Sequence, residues 1–223
     1  MIFLCVLVSV TAFAVGGIPF GYLVGRIVLK DDIRKFGSGN IGATNVGRVL
    51  GWKWGIGVLF LDALKGLLPV LLTDRLLEAA GQQDPAGYCR LAAGLAAVTG
   101  HMYPVWLRLR GGKGVATALG VVAMVSPFCS GIALLCFVGT LLLSRMVSMS
   151  SIIASLAFAL SHVLRTGGAA WTATGLPLTV FSFLIPGLII WRHRSNIRRI
   201  LDGTENRIMS NQKTENRNGS AGA

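Results

Sequence analysis

The sequence predicts an all-α integral membrane protein of about seven transmembrane helices, N-terminus outside and C-terminus cytoplasmic. Three observations carry that expectation. Hydrophobic residues make up 53% of the 223 residues and charged residues only 13%, against roughly a quarter charged in a soluble domain. The charges are segregated, leaving apolar runs of about 18 residues or more, which is long enough to cross a bilayer. The basic residues gather in alternate loops, as the positive-inside rule requires.

The first apolar run covers Ile2–Val24 and continues to about Val28. It lacks the basic leading region of a signal peptide and reads as a span. The loop after it carries Lys30, Arg34, Lys35, Arg48 and Lys53 and is placed inside. The second run is Trp54–Leu72, followed by a loop of mixed sign, Thr73 to Tyr88, placed outside. The third is Cys89–Leu107, followed by the inside loop Arg108–Lys113. The fourth, Val115–Leu143, is punctuated by Ser126-Pro127 and Ser130-Gly131, where turn residues break helices. It is one long kinked helix or a hairpin of two short ones. Only the hairpin returns the basic tail, with Arg192, Arg194, Arg198 and Arg199, to the inside. Two helices of ~14 residues rise only ~21 Å against a ~30 Å core, so they need local thinning or burial within the bundle. Val147–Leu164 and Trp171–Trp191 complete the spans. Residues 1–205 form one membrane domain, and the polar tail 206–223 is expected to be disordered.

Glycine reaches 29 residues, about twice the usual ~7%. Those inside spans, such as Gly55 and Gly57, fit close helix packing, while the clustered ones fit a ligand cradle. The net charge of +12 points to anionic partners. Nucleic acid is excluded because no soluble basic domain exists to carry it. Scattered basic residues such as Lys30 and Arg192 are explained by the positive-inside rule and anionic lipid. The four cysteines, Cys5, Cys89, Cys129 and Cys136, show no Cys-x-x-Cys pair and no histidine at ligand spacing. They are expected to be small packing residues, and no metal is expected.

Three polar blocks remain, each at the end of an apolar run. The first reads Gly37-Ser38-Gly39-Asn40-Ile41-Gly42-Ala43-Thr44-Asn45-Val46-Gly47-Arg48. Its glycines allow inward-turned N–H groups that cradle an anion. Ser38, Asn40, Thr44 and Asn45 add hydrogen bonds, and Arg48 adds a bidentate cation. The second runs from Arg110 to Thr117 and sets Lys113 among Gly111, Gly112 and Gly114. It lacks the spacing of a nucleotide-triphosphate loop. Alone it reads equally well as a cytoplasmic turn; beside the first block it reads as phosphate binding. The third, His193 to Glu205, places His193, Asn196 and Arg199 at helical spacing. That suggests a surface helix aiming His193 and Asn196 at one anion, or an interfacial helix binding anionic lipid. His101, in the cytoplasmic half of the third run, carries the default functional reading of an intramembrane ionisable group. His162 has no polar neighbours in sequence and reads as structural. Asp62 and Lys65, three apart on one helix face, can neutralise each other and orient the site from behind.

Taken in order, these segments resemble the signature set of the bacterial acyl-phosphate-dependent glycerol-3-phosphate acyltransferases, the PlsY family. The resemblance runs through Ser38–Arg48, Leu61-Asp62-Ala63-Leu64-Lys65-Gly66, Gly100-His101 with Pro104, Gly111–Thr117, and His193-x-x-Asn196-Ile197-x-Arg199 with Gly203-Thr204-Glu205. Arg110 stands where a lysine is commoner. The resemblance implies a seven-span enzyme of the bacterial cytoplasmic (inner) membrane with its active site facing the cytoplasm. It would move a fatty acyl group from acyl-phosphate to the 1-hydroxyl of sn-glycerol 3-phosphate, releasing lysophosphatidic acid and phosphate. Ser38, Arg48, Lys113, His193 and Asn196 would be catalytic. Gly37, Gly39, Asn40, Gly42, Thr44, Asn45, Gly111, Gly112, Gly114 and Thr117 would bind substrate phosphate. His101, Asp62, Lys65, Arg199 and Glu205 would support the site. No cofactor is implied, the partners are the two substrates and membrane lipid, and a monomer suffices. No His-x-x-x-x-Asp motif and no Ser-His-Asp arrangement is visible, so direct attack on the donor is expected rather than an acyl-enzyme. The competing class is a transporter for a phosphorylated or anionic solute, to which broken helices and Asp62 with Lys65 are suited, although no internal repeat is evident. A lipid-binding scaffold leaves the first block unexplained.

Overall fold

A computed structural model describes residues 1–208. Every regular element among them is helical. The helices are α1 (Ile2–Gly16), α2 (Phe20–Val24, continued by a π turn Gly25–Leu29), α3 (Ala43–Leu50), α4 (Trp52–Ala79), α5 (Tyr88–Met102), α6 (Val115–Val125), α7 (Pro127–Ser144), α8 (Val147–Thr166), α9 (Leu176–Arg192) and α10 (Arg194–Leu201). Among the described residues four segments, Ile2–Leu29, Trp52–Ala79, Pro127–Ser144 and Val147–Trp171, are long and apolar enough to cross a membrane; α9 with α10, bent by 61°, passes the same test only when the pair is counted as one span. The tail expected to be disordered lies, from residue 209 onward, outside the described residues.

The first run is not one continuous helix. Gly17-Ile18-Pro19 interrupts it, because proline supplies no N–H and clashes with the preceding turn. The fourth run is two helices, split at Ser126 with φ −151° and ψ 75° before Pro127. At 11 residues, α6 rises only about 16 Å. Burial compensates for its shortness: Thr117, Ala118, Gly120, Val121, Val122 and Val125 are all enclosed. It lies against α4 at near-backbone distance, where a Cβ on Gly66 would collide with the Thr117 carbonyl and one on Gly120 with the Ala63 carbonyl. Small residues permit such approach where lipid offers no hydrophobic drive between helices.

The largest core cluster joins α4, α5, α6, α7, α8 and α9 through Val70, Val98, Val121, Cys129, Phe158 and Ile185. In contrast, α1 is largely exposed, burying only Val8, Ala12 and Gly16. It packs on α5, with Gly16 against Ala97 and Gly100 against the Phe13 carbonyl. The expectation that all four cysteines merely pack is corrected here. Cys5 and Cys89 form a disulfide joining α1 to α5, with Cα atoms 4.8 Å apart; Cys129 and Cys136 are free. A separation of 84 residues carries no spacing signal, which is why the pairing escaped the sequence. The structural reading of His162 agrees with its buried contact, Nε2 to Thr179 Oγ1 at 3.0 Å.

Candidate active site

All three polar blocks meet at one end of the bundle around a cavity of about 290 Å³. The first block is shaped by Asn45, which is 1% exposed. Its Oδ1 accepts the Ser38 N–H at 2.7 Å, and its Nδ2 donates to Asn40 O at 2.8 Å and Phe36 O at 3.1 Å. Asn45 therefore folds the loop with the groups the sequence reading assigned to substrate. Gly37, with φ +59°, lies so close that a Cβ there would meet the Asn45 amide. Gly42 is the N-cap of α3, and its own N–H donates to Asn40 Oδ1 at 2.8 Å. Gly42, Ala43 and Thr44 thus present the start of α3 to the cavity, where free N–H groups and the helix dipole favour an anion. Arg48, one turn beyond Thr44, lines the same wall.

The second block is held from two sides. The N–H groups of Gly111 and Gly112 donate to the carbonyls of Met102 and His101 at 3.2 and 3.1 Å. Arg192 donates to the Gly111 and Gly112 carbonyls at 2.9–3.1 Å and lies 5.2 Å over the Tyr103 ring. Arg192, which loop charge alone explained in the sequence, is a brace for this turn. The turn projects Lys113 into the cavity, where Nζ donates to Asn196 Oδ1 at 2.7 Å.

The third block supplies the partners. The 61° bend between α9 and α10 turns the chain at His193, and both His193 and Asn196 are buried. The His193 Nδ1 is 2.8 Å from the Ile189 carbonyl. A carbonyl only accepts, so Nδ1 carries the proton. Burial, then the Lys113 charge, lowers His193 to about 4; the ring is neutral near pH 7 and Nε2 is a bare acceptor. Glu205 Oε1 accepts from Asn196 Nδ2 and Ser148 Oγ, each at 2.7 Å, and Oε2 pairs with Arg199 at 2.8 Å. Burial pushes the Glu205 pKa up, but these hydrogen bonds outweigh it and hold the group below the ordinary value, as a carboxylate. Since Asn196 gives its N–H to Glu205, it must offer its oxygen to Lys113. Burial lowers Lys113 to about 8; Glu205 opposes the shift, and Arg199, Arg192 and Arg48 add to it.

Asp62 and His101 reach the cavity wall from α4 and α5. His101 Nδ1 is 3.6 Å from Asp62 Oδ1. Lys65 sits 2.8 Å from the same oxygen, off a hydrogen-bonding line. Its aligned bond runs to the Ile18 carbonyl at 2.7 Å, freed where α1 breaks.

Of the residues singled out in the sequence, Ser38, Asn40, Gly42, Thr44, Asn45, Arg48, Asp62, His101, Lys113, Gly114, His193, Asn196, Arg199 and Glu205 line the cavity. Gly37, Gly39, Lys65, Gly111, Gly112 and Thr117 do not. Gly37, Gly111 and Gly112 act through close approach: a Cβ would strike the Asn45 amide, the His101 carbonyl and the His101 ring respectively. Gly39 turns the loop at φ +70°. Thr117 is fully buried against Gly66. The sequence reading missed Ser148 and Ser151, three apart on α8, together with an apolar wall of Ile56, Leu59, Phe137, Leu141 and Val147. The serines clustered in the first turn of α8, Ser148, Ser150 and Ser151, were the available signal. Asn206 and Ile208 also line the cavity, and the Ile208 N–H donates to the Arg145 carbonyl at 2.8 Å. A separate groove along α9, lined by Trp171, Val180 and Phe183, is nearly all apolar and brings no charged group together.

Residues 6–203 match the family model described as glycerol-3-phosphate acyltransferase. The glycerol-3-phosphate acyltransferase of Myxococcus xanthus is 46% identical over 196 residues, covering 88% of this chain and 95% of the relative. That of Thermoanaerobacter pseudethanolicus is 42% identical, covering 94% and 98%. Among solved structures, the chain resembles PlsY, an integral membrane glycerol 3-phosphate acyltransferase, in its glycerol 3-phosphate form. The TM-score is 0.81 at 40% identity, covering 92% of this chain and 95% of that one. The lysophosphatidic acid form of PlsY superposes with a TM-score of 0.78.

Proposed function

The chain belongs to the glycerol-3-phosphate acyltransferase family, and on that premise we propose that its acyl donor is acyl-phosphate and its acceptor the 1-hydroxyl of sn-glycerol 3-phosphate. The products are lysophosphatidic acid and inorganic phosphate. The observation that carries this reading is the composition of one cavity. Its polar end sets Arg48, Lys113 and the start of α3 together, and its other wall is apolar. Two phosphorylated substrates, one with an acyl chain, match both ends.

The reaction is a direct displacement. The glycerol oxygen forms a bond to the acyl carbon, the bond from that carbon to the phosphate oxygen breaks, and the hydroxyl proton ends on a substrate phosphate. The mixed anhydride is already activated, so no covalent enzyme intermediate is needed. Arg48, Lys113 and backbone N–H groups neutralise phosphate and the developing oxyanion, and binding aligns the reactants. Ser38 and the bare His193 Nε2 orient substrate hydroxyls. Asn196, held by Glu205, positions Lys113, while Asp62, Lys65 and His101 support the wall behind. No cofactor takes part.

The spans in this reading are the broken first segment, α4, α5, α6, α7, α8 and α9. The N-terminus is outside and the cavity faces the cytoplasm of a bacterial inner membrane. Residues 1–205 form the acyltransferase domain and the remainder a cytoplasmic tail. A monomer suffices, because one chain contributes every group named above. The test is purified protein in detergent with acyl-phosphate and glycerol 3-phosphate, following phosphate and lysophosphatidic acid together. Equal turnover with acyl-CoA would overturn the donor assignment. Neither product from a folded protein would favour solute transport, read by uptake in liposomes.

A further inference from the structure

We infer that Cys5 and Cys89 are a structural disulfide installed by an exported thiol oxidant, and that it clamps α1 to the bundle at the end away from the cavity. The Cα separation of 4.8 Å lies within the usual ~4.4–6.8 Å range. Cys89 opens α5, and His101 near the other end of α5 lines the cavity. Twelve residues of helix place the disulfide about 18 Å from that wall.

The chemistry of the two ends differs accordingly. The cavity end carries Arg48, Lys53, Arg108, Lys113 and Arg192. The disulfide end carries charges of both signs, among them Asp74, Arg75, Glu78 and Asp84. Cytoplasmic thiols are kept reduced, and disulfides persist in oxidising compartments. Loop charge and thiol oxidation therefore assign the same sides, and the inference rests on the orientation proposed above but not on the reaction.

The need for a clamp follows from the exposure of α1. Ile2, Phe3, Val6, Leu7 and Val10 are all exposed, and lipid supplies no hydrophobic drive to dock them. The close contacts, Gly16 on Ala97 and Phe13 on Gly100, lie towards the cavity end. Near Cys5, Leu4 and Val8 pack with Ala93 and Ala97 of α5 without a glycine-mediated close approach, and the covalent bond adds to that contact. Cys5, half-buried, is the point of entry; Cys89 is fully buried. The Cys5 thiolate attacks the oxidant's disulfide and releases one of its thiolates. The Cys89 thiolate then attacks the Cys5 sulfur, releasing the oxidant as a dithiol. Two electrons and two protons leave this chain.

The experiment counts thiols in the full-length chain. Cells are denatured in excess N-ethylmaleimide, which blocks the free Cys129 and Cys136; after its removal the protein is reduced and labelled with a maleimide-polyethylene glycol. Two additions are expected after reduction and none before, with the doubly labelled form lost in Cys5→Ala. Absence of the double label in wild type overturns the disulfide. In cells lacking exported thiol oxidants the double label is expected to fall severalfold; an undiminished level overturns its origin. Reduction of the purified protein is expected to lower its thermal midpoint by about 5 °C or more, with no effect of reductant on Cys5→Ala. An unchanged midpoint after verified reduction overturns the clamp.

Discussion

Lys113 Nζ donates to Asn196 Oδ1 at 2.7 Å, joining side chains 83 positions apart. The bond selects one orientation of the Asn196 amide, and Glu205 enforces it from the other side at 2.7 Å. Glu205→Gln removes that enforcement, because a neutral amide no longer favours both donors. Hydrogen bonds to a charged group contribute about 1.5–3 kcal/mol, so kcat/KM is expected to fall roughly tenfold to hundredfold. The thermal midpoint serves as the control. Full activity in Glu205→Gln would separate Glu205 from Lys113.

Lys113 is lowered to about 8 by burial. Below that pH the ammonium is present, and as pH rises through it the charge is lost and anion affinity weakens. The KM for glycerol 3-phosphate is expected to rise severalfold from about pH 7 to about pH 9. Lys113→Arg, always charged, flattens the rise. An identical rise in the arginine variant would assign it to another group.

Arg48 and Lys113 converge on one cavity from α3 and from the turn before α6. Removing a preorganised charge that meets the transition state costs roughly 10²–10³ in rate. Arg48→Ala and Lys113→Ala are each expected to lose that much kcat/KM while eluting as folded protein in size-exclusion chromatography. Near-normal turnover in both would remove the anion site.

Asp62 and Lys65 are each about 3% exposed. Breaking a buried pair leaves an uncompensated charge and costs about 3–5 kcal/mol, whereas replacing both partners is often close to neutral. Asp62→Asn and Lys65→Met alone are expected to destabilise strongly in denaturation assays. The double variant Asp62→Leu/Lys65→Met should recover much of the loss. Additive losses would show that the two act separately.

Gly120 lies in the middle of α6, where alanine ordinarily improves a helix by up to about 1 kcal/mol. Here a Cβ would collide with the Ala63 carbonyl of α4, and backbone cannot yield as a flexible side chain does. Gly120→Ala is therefore expected to destabilise by roughly 1–3 kcal/mol. A raised thermal midpoint would contradict the close packing of α4 on α6.

Helix class, the position of most spans and the three polar blocks were legible in the chain because each rests on local information: apolar run length, Ser126-Pro127 as a breaker, glycines beside hydrogen-bonding residues and cations. The roles inside the blocks were less legible. Asn45 and Gly112 read as ligands, yet Asn45 ties the loop to itself and Gly112 makes room for the His101 ring. Composition marks where polar groups gather and is silent on whether each faces a substrate or a neighbouring backbone. The bracing of the Lys113 turn by Arg192, the Ser148–Glu205–Asn196 chain and the Cys5–Cys89 bond lay beyond the sequence. Each joins segments whose relative placement is set by packing: by Gly66 and Gly120 letting α6 rest on α4, by Gly16 and Gly100 letting α1 rest on α5, and by the bend at His193. By itself the sequence determined which segments leave water and which chemistry waits at their ends. Only the tertiary structure decided which side chains meet, because in a bundle of apolar helices that choice depends on close steric fit between segments far apart in the chain.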